Sequence, residues 1–189
     1  MAITLNGSGT VSGISTGGLP DGIIQSADLA SGVGGKILQV VQSFKGDVFT
    51  TTSGTFVDVT GLSVSITPSS SSNKILVSVN ICGQGRPNRA RNIPRLVRDS
   101  TPIGNSTDAG SRIAGFGQMY QGEDGANVAT NSIEFLDSPA TTSSVTYKVQ
   151  IVNGNNNGDV MCINRSYDDV SSSVSHRYSS SITVIEVSA

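Results

Sequence analysis

The feature that most limits what this chain can fold into is a two-residue alternation of apolar and polar side chains from residue 36 onward. Val145, Tyr147, Val149 and Ile151 alternate with Thr146, Lys148 and Gln150, and Leu62, Val64 and Ile66 alternate with Ser63, Ser65 and Thr67. Successive side chains on an extended strand point to opposite faces, so this period means half-buried strands with one wet face. Further strands are expected near 55–59, 74–81, 93–98, 102–104, 112–120, 131–136 and 160–165. Turn chemistry separates them: Pro68–Asn73, Asp99–Pro102 and Asn153–Gly158. Many short antiparallel strands at such intervals predict an all-β, jelly-roll-like β-sandwich over 36–189. Composition agrees, because charged residues make up only 14% and glycine is abundant, a profile of short strands and tight turns.

Residues 1–35 read differently. They are glycine-rich, and their apolar residues Ile3, Leu5, Val11, Ile14, Leu19, Ile23, Ile24 and Leu29 are thinly spread. Such a segment buries too little surface to fold alone. The expectation is an extended arm that orders against copies of itself or a partner, with a turn at Gly17–Gly22 and a helical turn capped by Ser26.

Two strands lack a polar face. In Ile37-Leu38-Gln39-Val40-Val41 apolar residues point both ways, as do Ile182 and Val184 against Ile185 and Val187. A strand apolar on both faces needs cover on both. One cover is the sandwich core. The other is a neighbouring subunit or a covering loop, and the subunit is the reading adopted: first and last strands side by side on the axis of a homotrimer. Ile37, Leu38, Val40, Val41, Ile182, Val184, Ile185 and Val187 are the interface candidates.

The segments Ile3-Thr4-Leu5-Asn6-Gly7-Ser8-Gly9-Thr10-Val11-Ser12-Gly13-Ile14, Gly17–Gly22, Ala27-Asp28-Leu29-Ala30 and Gly35–Val41 together resemble the opening of tail fibre proteins of marine and cyanobacterial phages. The resemblance returns at Phe56–Pro68, Asn73–Val77 and Ser181–Val187, in the same order, over about half the chain. It implies a trimeric virion fibre whose N-terminal part meets other tail or baseplate proteins and whose C-terminal β-domain meets a host surface glycan or protein. It brings no catalytic residues; residues 1–35 carry no Lys or Arg and no apolar signal-peptide core, so synthesis in the host cytoplasm is expected. Two alternatives stand beside it: a head fibre or capsid-decoration protein, and a surface-polysaccharide depolymerase.

Motifs for other chemistry are weak. Ser31–Lys36 lacks the first glycine and the final Ser or Thr of a phosphate loop. His176 is the sole histidine, too few for a zinc site within one chain. Glu123, Asp124, Glu134 and Asp137 are the carboxylates a glycosidase would draw on, but spacing cannot give their separation. Cys82 and Cys162 are expected as buried free thiols. No cofactor, metal, nucleic acid or membrane insertion is expected: net charge is −2, and no apolar run approaches a membrane span.

The densest charge is the run from Arg86 to Arg98. Arg86, Asn88, Arg89 and Arg91 lie in a turn-rich loop suited to anions. Intersubunit pairing, for instance with Asp168 or Asp169, is the equal alternative. Counting strand reversals from residue 36 sets loops 45–54, 82–92, 105–111, 137–144 and 166–178 at the far end. Tyr167, Asp168, His176, Arg177 and Tyr178 join the arginines as candidate receptor contacts.

Overall fold

Alternation becomes pairing in Val145–Asn153, whose Val145, Tyr147, Val149 and Ile151 are buried while Thr146, Lys148 and Gln150 are half-exposed. The computed structural model describes residues 36–107, 110, 112–119, 126–173 and 175–189. The expected arm, turn and helical turn of residues 1–35 lie outside the described residues. Residues Ile37–Ala189 form one compact β unit. Its strands are β1 (Ile37–Lys45), β2 (Phe49–Thr51), β3 (Val57–Ile66), β4 (Lys74–Gly85), β5 (Asn92–Arg98), β6 (Thr101–Ile103), β7 (Ala129–Asp137), β8 (Val145–Asn153), β9 (Met161–Ile163) and β10 (Ser180–Val187). Among the described residues there is no helix, and no helix long and apolar enough to cross a membrane.

The pairing is antiparallel and nested. β1 pairs with β10, β3 with β8, β4 with β7 and β5 with β6. One sheet runs β1-β10-β4, with β7 on β4's free edge and β9-β2 continuing beside β4's C-terminal end; the other runs β3-β8-β5-β6. The first and last strands are therefore neighbours, as the sequence led us to expect. The all-β antiparallel sandwich is likewise as expected.

The core lies between the sheets. β3 and β8 contribute Val59, Leu62, Val64, Ile66, Tyr147, Val149 and Ile151; β4 and β10 contribute Ile75, Val77, Val79, Ile81, Ile182 and Val184. At about 25 cal/mol per Å² of apolar surface removed from water, these strands supply the main driving force for folding. Two expected strands, 55–59 and 62–66, are one. Val59 and Leu62 are out of phase for a plain strand, and the extra residues are absorbed where the β3–β8 register shifts between Asp58 and Ser63. Gly61 takes φ +82° there, a conformation that L side chains rarely adopt, so the bulge returns Leu62 to the core side.

One buried polar cluster ties three strands together. Asp137 accepts two hydrogen bonds from Arg98 Nη1 (2.9 and 2.8 Å) and one from the Tyr147 hydroxyl (2.7 Å), joining β5, β7 and β8. Burial, then the hydrogen bond to Asp137, holds the Tyr147 phenol well above its ordinary range. Cys82 and Cys162 are buried free thiols.

Two expectations fail. No strand occupies 112–120: among its described residues only Met119 makes a bridge, to Asn92. Its apolar residues are too interrupted by glycine (Gly115, Gly117) to sustain a ladder. That missing strand also exchanges the ends of loops 137–144 and 154–160, while 166–178 keeps its expected end because β9 spans only Met161–Ile163. β7 runs back toward the end where β1 begins, so 137–144 lies there, with Lys74 Nζ donating to Ser138 Oγ at 2.7 Å. Loop 154–160 lies at the opposite end instead, with 86–91.

Candidate functional site

Two surfaces of the β unit carry chemistry. The first is the outer face of the β1-β10-β4-β7 sheet. Register pairs Val40 with Ile185, Ile185 with Leu76, and Leu76 with Leu136. These four side chains alternate with inward-pointing neighbours, so they form one apolar row across four strands. Its ends are open: Val40 is 58% and Leu136 55% exposed. Ile37, Leu38 at the β1 bulge, and Phe44 extend the exposed apolar surface along the edge strand. Lys74 and Glu134 flank the row on opposite sides.

This separates the expected interface residues into two groups. Ile37, Leu38, Val40, Ile185 and Val187 lie on outward or edge positions. Ile182 and Val184 are fully buried in the core, and Val41 packs against that core; these three are corrected to core residues. They belong to the inward set because they are one step out of phase with Val40 and Ile185. Leu76 and Leu136 were missed, although adjacent apolar pairs, Ile75-Leu76 and Phe135-Leu136, carry the same two-sided signal as Ile37-Leu38.

The second surface is the loop end opposite the start of β1 and the end of β10. There the arginine loop is tied down inside the chain. Arg86 Nη1 lies 2.9 Å from Asp159 Oδ1 and Arg89 Nε 2.8 Å from Asp159 Oδ2. The hydrogen bond to Asp159, with a smaller contribution from Tyr167, raises the Arg86 pKa further. Asn155 and Asn157 donate their amides to the Arg89 carbonyl, the latter at 3.0 Å. Within the chain the carboxylate partner is thus Asp159. Asn88 and Arg91 remain exposed.

Loop 164–179 is braced in the same manner. Asp169 pairs with both Arg165 (3.2 Å) and Arg177. Ser166 and Ser175 hydroxyls donate to the Asp168 carbonyl at 3.0 and 2.6 Å. The Tyr167 amide donates to the buried Gln84 side chain at 2.7 Å. Buried Asn164 donates to the carbonyls of Lys45 (2.8 Å) and Asp47 (2.9 Å) and accepts from Ser180 Oγ at 2.6 Å, fixing the loop's base. His176 and Tyr178 are exposed, with ring centroids 6.2 Å apart. An open depression of about 490 Å³ is lined by Val160, Arg165, Tyr167, Asp168, Asp169 and Val170.

The structure brings Arg86, Arg89, Tyr167, Asp168, His176, Arg177 and Tyr178 to one end. Glu134 and Asp137 are not a facing pair: Glu134 is exposed on the sheet's outer face, while Asp137 points inward to Arg98 and Tyr147. Among the described residues no group of three His, Cys, Asp or Glu side chains is placed to hold a metal ion. Comparison with protein-family models and with curated proteins returns no match.

Proposed function

We propose that this chain is a structural protein of a phage tail fibre, a homotrimer that attaches the virion to a host-cell surface. In this reading residues 1–35 join other tail or baseplate proteins, and the β unit presents loops 86–91 and 164–179 to the receptor. The single observation that carries it is the apolar row Val40, Ile185, Leu76 and Leu136 on a sheet face without cover among the described residues. A contiguous apolar patch of this kind marks an interaction surface. Copies of the same chain are the partner chosen, because the row uses the first and last strands and a ring of copies buries it in every subunit at once. Lys74 and Glu134, on opposite flanks, carry opposite charges that a head-to-tail ring can pair.

Further support comes from the strand order. Without β2 and β9, the nested pairs of first with last, second with seventh, third with sixth and fourth with fifth make a jelly-roll order. The ordered set of tail-fibre-like segments in the sequence adds to it. Light scattering on size-fractionated full-length protein and on residues 36–189 tests the assembly. A trimer is expected for the full chain; a monodisperse monomer of both at micromolar concentration overturns the reading. Antibody labelling of intact virions then separates tail from head.

A further inference from the structure

We infer that Asn157 is a self-modification site, whose side-chain amide is converted to a carboxyl by attack of its own backbone, while Asn153 in the same sequence setting is spared. The inference does not depend on the attachment reading.

The chemistry favours an asparagine followed by glycine, because glycine leaves the next backbone nitrogen unshielded. The β unit holds two such pairs, Asn153-Gly154 and Asn157-Gly158, at and just beyond the end of β8. The glycine nitrogen attacks the asparagine Cγ. A new N–Cγ bond closes a cyclic imide and the Cγ–Nδ2 bond breaks. The glycine's amide proton, passed through solvent, ends on Nδ2, which leaves as ammonia. Solvent water then opens the ring at either carbonyl, giving aspartate or isoaspartate. Nothing is oxidised or reduced.

Asn157 meets each requirement. Its Oδ1 accepts from the Asp159 amide at 3.2 Å, a bond that folds the side chain back over the Gly158 peptide. Asn153 Nδ2 donates to the same oxygen at 2.8 Å. Two donors on one carbonyl oxygen draw charge from Cγ and stabilise the oxyanion that attack creates. The nucleophile is open. The Gly158 amide has no hydrogen-bond partner among the described residues, its φ is +74°, and only its chain neighbours come within 4 Å of where a Cβ would stand. Asn157 is exposed, so hydroxide and water reach it.

Asn153 shares the turn, with Oδ1 accepting from the Asn155 amide at 3.0 Å, and lacks the rest. The Gly154 amide donates to the Arg91 carbonyl at 2.9 Å, which engages the proton that attack must release. Asn153 is also fully buried. Residue type treats the two pairs alike, and the fold separates them.

The product acts on the arginine loop. Asn157 Nδ2 donates to the Arg89 carbonyl at 3.0 Å, and a carboxylate has no proton to give there. Arg86 and Arg89 share the carboxylate of Asp159, so the conversion adds negative charge beside a cluster with guanidinium in excess.

Peptide mapping by mass spectrometry tests this on full-length protein stored in heavy-oxygen water at physiological temperature and pH. Asn157 should become aspartate and isoaspartate carrying solvent oxygen, at least about tenfold faster than Asn153. In urea the two rates should converge, because the fold alone holds them apart. Asn157→Gln, whose longer side chain disfavours ring closure, should abolish the change at that position. Equal rates in the folded protein, or an Asn153 that converts first, would overturn the inference. Amide exchange over 86–91 should quicken in the aged protein and in Asn157→Asp; exchange unchanged in both would overturn the action on the arginine loop.

Discussion

The two outer faces of the sandwich obey the same alternation and end in opposite states. On the β3-β8-β5 face the outward side chains bond sideways to one another. Lys148 Nζ lies 2.8 Å from Asp58, Gln150 Nε2 donates to Asp58 at 2.6 Å, and Arg95 Nε donates to Gln150 Oε1 at 2.9 Å. Ser65 and Thr146 hydroxyls meet at 2.8 Å, and the Arg95 guanidinium lies 3.7 Å over the Phe56 ring. That surface is complete in water. On the β1-β10-β4-β7 face the corresponding row is Val40, Ile185, Leu76 and Leu136, which have no such lateral chemistry. The difference teaches that outward positions alone do not mark a wet surface. What marks it is whether the cross-strand neighbours can satisfy one another.

If the apolar face is an assembly surface, charging it has the largest effect. Val40→Asp with Leu136→Asp places carboxylates where an apolar contact excludes water, a cost of several kcal/mol per unpaired charge. Light scattering should then report monomers with wild-type circular dichroism; persistent trimers would move the interface elsewhere. Leu62→Ala probes what both faces share. Leu62 is fully buried, and the truncation should cost about 2–5 kcal/mol in denaturant unfolding. It should leave the subunit count of the folded protein unchanged. A change in subunit count would mean that the core and the outer row are not independent.

How much of this was legible in the sequence follows from what alternation encodes. It reports which residues share a face, so Val145 to Ile151 and Leu62 to Ile66 placed the core, and the two-sided strands β1 and β10 were found and paired. It does not report register, so Leu76 and Leu136 could not be seen as continuing the row begun by Val40. The Thr60-Gly61 bulge shifts phase within one strand, which the pattern alone reads as two. Arg86 and Arg89 were legible as a cluster, but Asp159 lies far along the chain and meets them only because β8 and β4 both end at the loop end. The candidate site was gathered at the right end apart from loop 137–144. The expected strand over 112–120 carried that error, and the expected full strand over 160–165, where β9 is only Met161–Ile163, cancelled it for 166–178.

Acid separates the two sheets' edges next. Glu186 is fully buried on the inward side of β10 and accepts from Asn73 Nδ2 (2.7 Å), the Ser69 amide (2.7 Å) and Ser69 Oγ (2.8 Å), with Gln39 Nε2 also in contact. Burial acts to raise its pKa, but hydrogen bonds from Asn73, Gln39 and Ser69 outweigh it and hold the carboxyl at about 2, below its ordinary 4.5. A depressed folded-state pKa means stability that is whole above pH 4.5 and lost as pH falls toward 2. Urea midpoints across that window should fall for the wild type and fall less for Glu186→Gln. Parallel slopes for the two proteins would remove Glu186 as the cause. The change should loosen β1, the 67–73 turn and β10 together, because that one carboxylate ties all three.

The smallest effect belongs to the polar face. Asp58 also lies below its ordinary range: partial burial opposes this, and the hydrogen bonds from Lys148 and Gln150 prevail. Yet Asp58 is exposed, with its side chain 52% open, so solvent screens the pair. A double-mutant cycle with Asp58→Asn and Lys148→Met should give a coupling of about 0.2–1 kcal/mol, shrinking as salt rises. No change in subunit count should accompany it. A coupling well above that range would mean the lateral bonds hold the face rigid rather than merely keep it wet, and the contrast with the apolar row would then be one of stiffness as well as of solvation.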